Sequence, residues 1–180
     1  MTLHVPNSTR LKYRLMTPDD IDSFLELDSD AEVMKYINGG KPTTRDAFIQ
    51  NYVPRLTAFT HPEKAWGMWQ ASTIEESEFL GWVLVRPMGF FGDNPDHSDI
   101  ELGWRFKRST WGNGYGTEAA RAILQALSTQ LNYRTFTSVA DKRNAGSINI
   151  MRKLGMTFVS EGIESSPMGD IEAVTYQLTI

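Results

Sequence analysis

The chain has 180 residues, 41% of them hydrophobic and 22% charged, with a formal net charge of -4 and no cysteine; that length suits one domain, residues 1–180, with a sizeable core. Without cysteine there are no disulfides, no thiolate metal sites and no thiol nucleophile, and the acidic balance argues against nucleic acid as the main partner. No apolar run approaches a membrane span and no charged-then-apolar signal pattern opens the chain, so a cytoplasmic location is the default expectation, and no metal is implied.

In chain order, alternation predicts a strand over Leu11–Met16, running into Thr17-Pro18-Asp19-Asp20. Thr17 suits an N-cap, with Pro18 at the first helical position and Asp20 three residues on. The helix that follows is expected to bury Ile21, Phe24, Leu25 and Leu27. A second helix fits Ala31–Ile37 and stops at Gly39-Gly40, and a third fits Thr44–Leu56, where Pro54 ends or bends it. Strands at Ala65–Thr73 and Phe79–Arg86 flank the acidic turn Ile74–Glu78 and read as an antiparallel hairpin. Their tryptophans Trp66, Trp69 and Trp82, with Trp104 further on, alternate as core residues do. Asp99–Phe106 alternates polar and apolar residues with period two, as a half-buried strand does.

A turn with three glycines at alternate positions follows: Trp111-Gly112-Asn113-Gly114-Tyr115-Gly116-Thr117. Then Ala119, Ala120, Ile123, Leu124, Leu127 and Leu131 recur at helical spacing. A glycine-rich turn feeding a helix N-terminus makes an anion site. Unpaired N–H groups leave the first turn, the helix dipole adds partial positive charge, and glycine lets a ligand approach the backbone. The sequence thus points to a phosphorylated ligand. Neither the Lys-Ser/Thr of a nucleotide-triphosphate loop nor the Gly-x-Gly-x-x-Gly dinucleotide spacing is present. A strand at Thr135–Ala140, a helix over Ala145–Leu154 stopped by Gly155, and strands at Thr157–Gly162 and Ala173–Thr179 complete an α+β chain.

The loop resembles the pyrophosphate loop of the GNAT superfamily of acetyl-CoA-dependent N-acetyltransferases, Gln/Arg-x-x-Gly-x-Gly/Ala. Trp111 stands at the Gln/Arg position, as in the branch that resembles RimJ and RimL, the N-terminal acetyltransferases of ribosomal proteins. Two more segments are similar to that branch: the opening LKYRLMTPDDIDSFLELDSDAEVMKYI, and Asn144-Ala-Gly-Ser147 running into Lys153-Leu154-Gly155. Gly39–Glu63 and Gly89–His97 are poorly covered.

The resemblance implies the GNAT fold: a mixed, mostly antiparallel sheet of about six or seven strands with helices on both faces. It implies acetyl-CoA as cosubstrate and a primary amine as acceptor, either a peptide N-terminus or a small amine, and a homodimer as in many members of the branch. The alternative is a non-catalytic acyl-CoA-binding sensor or partner module on the same fold.

Amine acetylation asks a site to hold pyrophosphate, deprotonate the amine, stabilise charge on the thioester oxygen and receive the leaving thiolate. The backbone of Trp111, Gly112, Asn113, Gly114, Tyr115, Gly116 and Thr117 is expected to hold pyrophosphate. Gly103, a glycine in mid-strand, marks either a bulge or a close backbone approach. By resemblance, this strand splays from its neighbour, and Trp104 and Phe106 offer backbone groups to the pantetheine arm. Glu101 is the candidate base, its bland alternative being a salt-bridged strand carboxylate; His97 is the second candidate. The family's tyrosine position, seven residues after Asn144, holds Met151, which donates no proton. Ser147 is the group left to meet the sulfur, and Asn144 serves as N-cap, pantetheine ligand or both. The loop Phe90–Asp99, with its acidic residues and phenylalanines, and the segment Ser29–Thr44 are the candidate walls of the acceptor site.

Overall fold

The computed structural model describes residues 3–166 and 169–180. One seven-stranded sheet runs in the order β1-β2-β3-β4-β5-β7-β6. Its strands are β1 (Leu11–Leu15), β2 (Gly67–Thr73), β3 (Phe79–Met88), β4 (Asp96–Phe106), β5 (Thr135–Asp141), β6 (Thr157–Ser166) and β7 (Gly169–Thr179). Only β4 and β5 pair in parallel; every other neighbour is antiparallel. This is the mixed α+β sheet expected. β6 and β7 are longer than the sequence suggested, because Glu164, Asp170 and Glu172 make their outer parts polar and hide the strand pattern.

Alternate side chains of β4 divide the core. Ile100, Leu102 and Phe106 pack with Ala119, Ile123 and Leu127 of α5 (Tyr115–Gln130) and Met151 of α6 (Ala145–Lys153). On the other face, Trp82 and Leu84 of β3 pack with Phe24 and Leu27 of α1 (Ile21–Asp28), and with Leu56 and Phe59 of α4 (Val53–Phe59). Helices therefore cover both faces, as period-two alternation in a central strand requires.

The start of α1 is built as its sequence directs. Thr17 and Asp20 form a reciprocal capping box around a short 3-10 turn. α2 (Ala31–Asn38) is capped by Asp30 and closes on Gly39 at φ 75°. The expected third helix differs. It begins as α3 (Arg45–Ala47), widens into a π-helical stretch over Phe48–Tyr52, and resumes as α4 through Phe59. Pro54 falls in the first turn of α4, where its missing N–H and its ring are tolerated, so it neither ends the helix nor needs to.

Candidate active site

β4 and β5 pair only over Asp99–Glu101 and Thr135–Thr137. Beyond that point they diverge. The Ser138 hydroxyl donates to the Leu102 carbonyl at 2.6 Å, so a side chain meets a group that a strand would otherwise have met. The Leu102 carbonyl faces β5, and backbone direction alternates along a strand. Trp104 and Phe106 therefore aim their backbone groups into the same gap. The Phe106 carbonyl is capped by the Trp111 indole N–H at 2.9 Å, which leaves Trp104 as the residue with its backbone open to the gap.

Below the gap lies the glycine turn. Gly112 and Gly114 sit at φ 78° and 79°, left-handed conformations that an L side chain resists. Gly114 is the N-cap of α5, and the first helical bond runs from the Glu118 N–H to its carbonyl. Among the described residues, the N–H groups of Gly112 through Thr117 have no protein acceptor. Gly116 has a different reason to be glycine: a Cβ there meets Ile150 Cδ1 at 3.0 Å, so its smallness lets α5 and α6 pack closely. Asn113 turns its amide onto the carbonyls of Thr110 and Trp111 and so stiffens the turn. The one carboxylate in the first turn of α5, Glu118, is drawn away from the site. Burial works against its charge, but the Ser8 hydroxyl, the Arg10 N–H and the Arg10 guanidinium hold it below the ordinary carboxylate range.

Gap and turn open into one cleft of about 430 Å³. Trp104, Phe106, Trp111, Gly112, Gly114, Tyr115, Gly116, Thr117, Asn144 and Ser147 all line it; Asn113 and Glu101 do not. Asn144 caps α6 through its side-chain oxygen, which accepts from the Ser147 N–H. The Ser147 hydroxyl has no protein partner among the described residues. Met151 is 1% exposed and belongs to the core, so this turn of α6 offers no acid of its own.

Residues to which the sequence reading gave no individual role complete the cleft. Glu32, Val33, Tyr36 and Ile37 of α2 form the opposite wall, within the Ser29–Thr44 segment expected to border the acceptor. Arg143 and Lys153 bring positive charge to the rim. The Arg143 guanidinium pairs with Asp141 and holds that carboxyl below its usual range. A lysine and an arginine were ordinary surface residues in the sequence; only the packing of α6 against α5 brings them to the rim of this cleft.

On the opposite face of β4, Glu101 stands directly across from Arg86 and takes two hydrogen bonds from it, at 2.7 and 3.1 Å. No bulge occurs at Gly103, which pairs regularly with Leu84; the irregularity lies at Pro87/Met88. A Cβ on Gly103 meets only Leu84, at ordinary contact distance, so packing does not require the glycine. Asp99 is buried and held by Thr137 and Gln177, and burial pushes its carboxyl upward. His97 lies against Trp66. Phe90 and Phe91 turn away from the cleft and pack with Phe59, Trp66 and each other.

A glycine turn with unpaired N–H groups, feeding a helix and continuing into a splayed pair of parallel strands, fits a long ligand with an anionic middle and an amide-bearing arm. The model of the Acetyltransferase (GNAT) domain family matches residues 10–157. The chain belongs to the GNAT acetyltransferase family. It is 30% identical over 152 residues to the uncharacterised protein YkkB of Bacillus subtilis, covering 83% of each chain. It is 29% identical over 161 residues to the FsC-acetyl coenzyme A-N(2)-transacetylase of Aspergillus fumigatus, covering 88% of this chain and 66% of that one. A GNAT-family acetyltransferase structure from Bacillus anthracis superposes with a TM-score of 0.75 at 21% identity, covering 99% of this chain and 98% of the other, which shows the shared fold.

Proposed function

We propose that this protein transfers the acetyl group of acetyl-CoA directly to a primary amine within a ternary complex. The observation that carries the reading is the continuity of the unpaired N–H groups of Gly112–Thr117 with the gap between β4 and β5. Acetyl-CoA supplies an activated acyl group; the rest is done by side chains and backbone of this chain. The glycine-turn N–H groups hold pyrophosphate, with Arg143 and Lys153 adding charge at the rim. The Trp104 backbone orients the pantetheine arm and offers an N–H to the thioester oxygen as charge develops there. The gap closes where Glu101 meets Thr137. The reacting end of the arm therefore stops within a residue or two of Glu101, beside the open backbone of Trp104.

Glu101 removes the proton from the amine, directly or through one water, and Arg86 fixes the orientation of its carboxylate. Ser147 orients the departing sulfur and relays a proton to it, since Met151 is buried in the core. The acceptor is a primary amine, whether a peptide N-terminus in the manner of the RimJ- and RimL-like branch or a small amine.

Acetyl-CoA consumption, read as free thiol across peptides, amino acids, polyamines and aminoglycosides, tests the reading. The chain has no thiol of its own to interfere. Turnover with one class supports it. Failure of the folded protein to bind acetyl-CoA at physiological concentration sinks it, and tight binding without turnover on any amine transfers support to the acyl-CoA sensor.

A further inference from the structure

Two guanidinium groups share one aromatic ring beside Glu101. Arg55 of α4 lies with its Cζ 3.7 Å from the centroid of Phe91, and the Cζ of Arg86 lies 5.4 Å from the same centroid. Arg86 spends Nε and Nη2 on Glu101. Its Nη1 has no partner, and Arg55 has neither a hydrogen bond nor an ion pair, among the described residues. Asp96, the first residue of β4, is committed to Ser98, and Asp93 of the preceding loop pairs with neither arginine among the described residues. Burial and the neighbouring Arg86 both lower the basicity of Arg55, which marks how close the two charges lie.

The arrangement holds two fixed cations and one carboxylate. Like charges brought together on one apolar ring repel, and each retains unused donors. A second carboxylate would relieve the repulsion and fill the open guanidinium edges, whose planar forks match a carboxylate's two oxygens. Phe91 is 43% exposed, so the place is open to a ligand.

Its position relative to the chemistry is set by β4. Glu101 and Gly103 point to the same sheet face, two residues apart, which is roughly 7 Å along a strand. An acceptor whose amine reaches the end of the gap at Gly103 and Glu101 therefore has Arg86 and Arg55 within the span of a small molecule. Resting on the N-acetyltransferase reading, we infer that Arg55 and the free edge of Arg86 form a carboxylate subsite, and that the acceptor is a small amino acid: a primary amine with a carboxylate a few bonds away. A polycation without an anionic group meets two arginines here and is disfavoured.

Matched pairs test this. Glycine, L-methionine and L-phenylalanine are compared with their carboxamides, and kanamycin serves as a polyamine lacking a carboxylate. The free acids are expected to show at least 10-fold higher kcat/KM than the amides. Arg55→Gln should bring the ratio close to 1 with acetyl-CoA affinity unchanged, and Arg55→Lys should retain part of it. Binding of N-acetyl-L-methionine and its amide to the CoA-loaded protein, by calorimetry, gives the same contrast without turnover. Amides turned over or bound as well as the acids, no binding of either N-acetyl compound, or a preference that survives Arg55→Gln each overturns the subsite. Loss of carboxylate preference with turnover intact leaves the N-acetyltransferase reading standing, whereas failure to bind acetyl-CoA strikes that reading itself.

Discussion

Asp28 is the last residue of α1, where the helix dipole disfavours a carboxylate. It is nonetheless buried, with its side chain 2% exposed, and ion-paired to Arg105 of β4, whose side chain is 10% exposed. Arg105 also stacks on Trp82, with its Cζ 4.9 Å from that ring, and lines the cleft. The pair thus ties the α1–α2 corner to β4, and α2 carries Tyr36 and Ile37, which line the cleft. Asp28→Asn removes one partner and strands a guanidinium in the core. Breaking a buried pair from one side costs about 3–5 kcal/mol. For a chain of this size that lowers Tm by roughly 6–20 °C.

Replacing both partners tells whether the cost is the pair's own contribution or the stranded charge. Arg105 Nε is buried without an acceptor, so the pair is not fully satisfied even in the native state. Asp28→Leu with Arg105→Met should therefore recover at least half of the loss. It should also keep a raised Kd for acetyl-CoA, because the corner is no longer pinned in place. Urea melts monitored by tryptophan fluorescence and calorimetric titration with acetyl-CoA measure the two effects. If Asp28→Asn costs less than about 1 kcal/mol, or the double variant is no better than Asp28→Asn, the assignment of this pair as a buried anchor is wrong.

Gly114→Ala forces a Cβ into a left-handed residue at little steric cost, its nearest neighbour being Arg10 Nη2 at 3.7 Å; we expect about 1–2 kcal/mol of lost stability and weaker acetyl-CoA binding, and unchanged values in both would refute the geometry of the turn. Glu101→Gln should lower turnover severalfold or more while acetyl-CoA affinity, measured by calorimetry, stays largely intact, since Glu101 does not line the cofactor cleft; equal turnover would remove Glu101 from the base role. Ser138→Ala orphans the Leu102 carbonyl at the mouth of the gap and should cost about 1–3 kcal/mol in a urea melt, whereas a cost near zero would mean that water replaces the hydroxyl there. Asp99 has its carboxyl raised by burial, so its contribution to stability is present below the ordinary aspartate range and is lost as pH rises through the folded-state value. Asp99→Asn should therefore gain on the parent as pH rises above the ordinary aspartate range, about 4, and through the folded-state value, and a pH-independent difference in urea midpoints would contradict it.

Much of the fold was legible because local chemistry and global packing agree. The period-two pattern of β4, the capping residues of α1 and α2, and the stop at Gly155, at φ 89°, each follow from residues within a few positions. The π-helical stretch was not legible: within it Phe48 stacks on Tyr52 and packs against Phe24 of α1, and that last contact exists only after folding. The outer halves of β6 and β7 were hidden for the opposite reason. Their pairing is made by backbone hydrogen bonds between polar segments, and a polar strand carries no hydrophobic alternation to read.

The site divides along the same line, and the division has a physical origin. The glycine-turn half of the cleft is written in glycines, whose positive φ values and small volume leave a local signature, so the turn was foreseeable as a unit, although Asn113 faces the turn itself and not the cleft. The acceptor half is written in charged side chains whose meaning depends on their partners. Glu101 reads in the sequence as any strand carboxylate; it becomes distinctive only because β3 sets Arg86 directly opposite, and because α4 carries Arg55 to the ring of Phe91. These three residues come from segments 15 to 46 positions apart in the chain. A backbone device can be recognised from its own residues, but a charge constellation exists only after folding. That is why a sequence of this kind shows its anion-binding turn and hides its charge constellation, and why the substitutions that test the proposed acceptor lie at Arg55, Arg86 and Glu101 and not in the glycine turn.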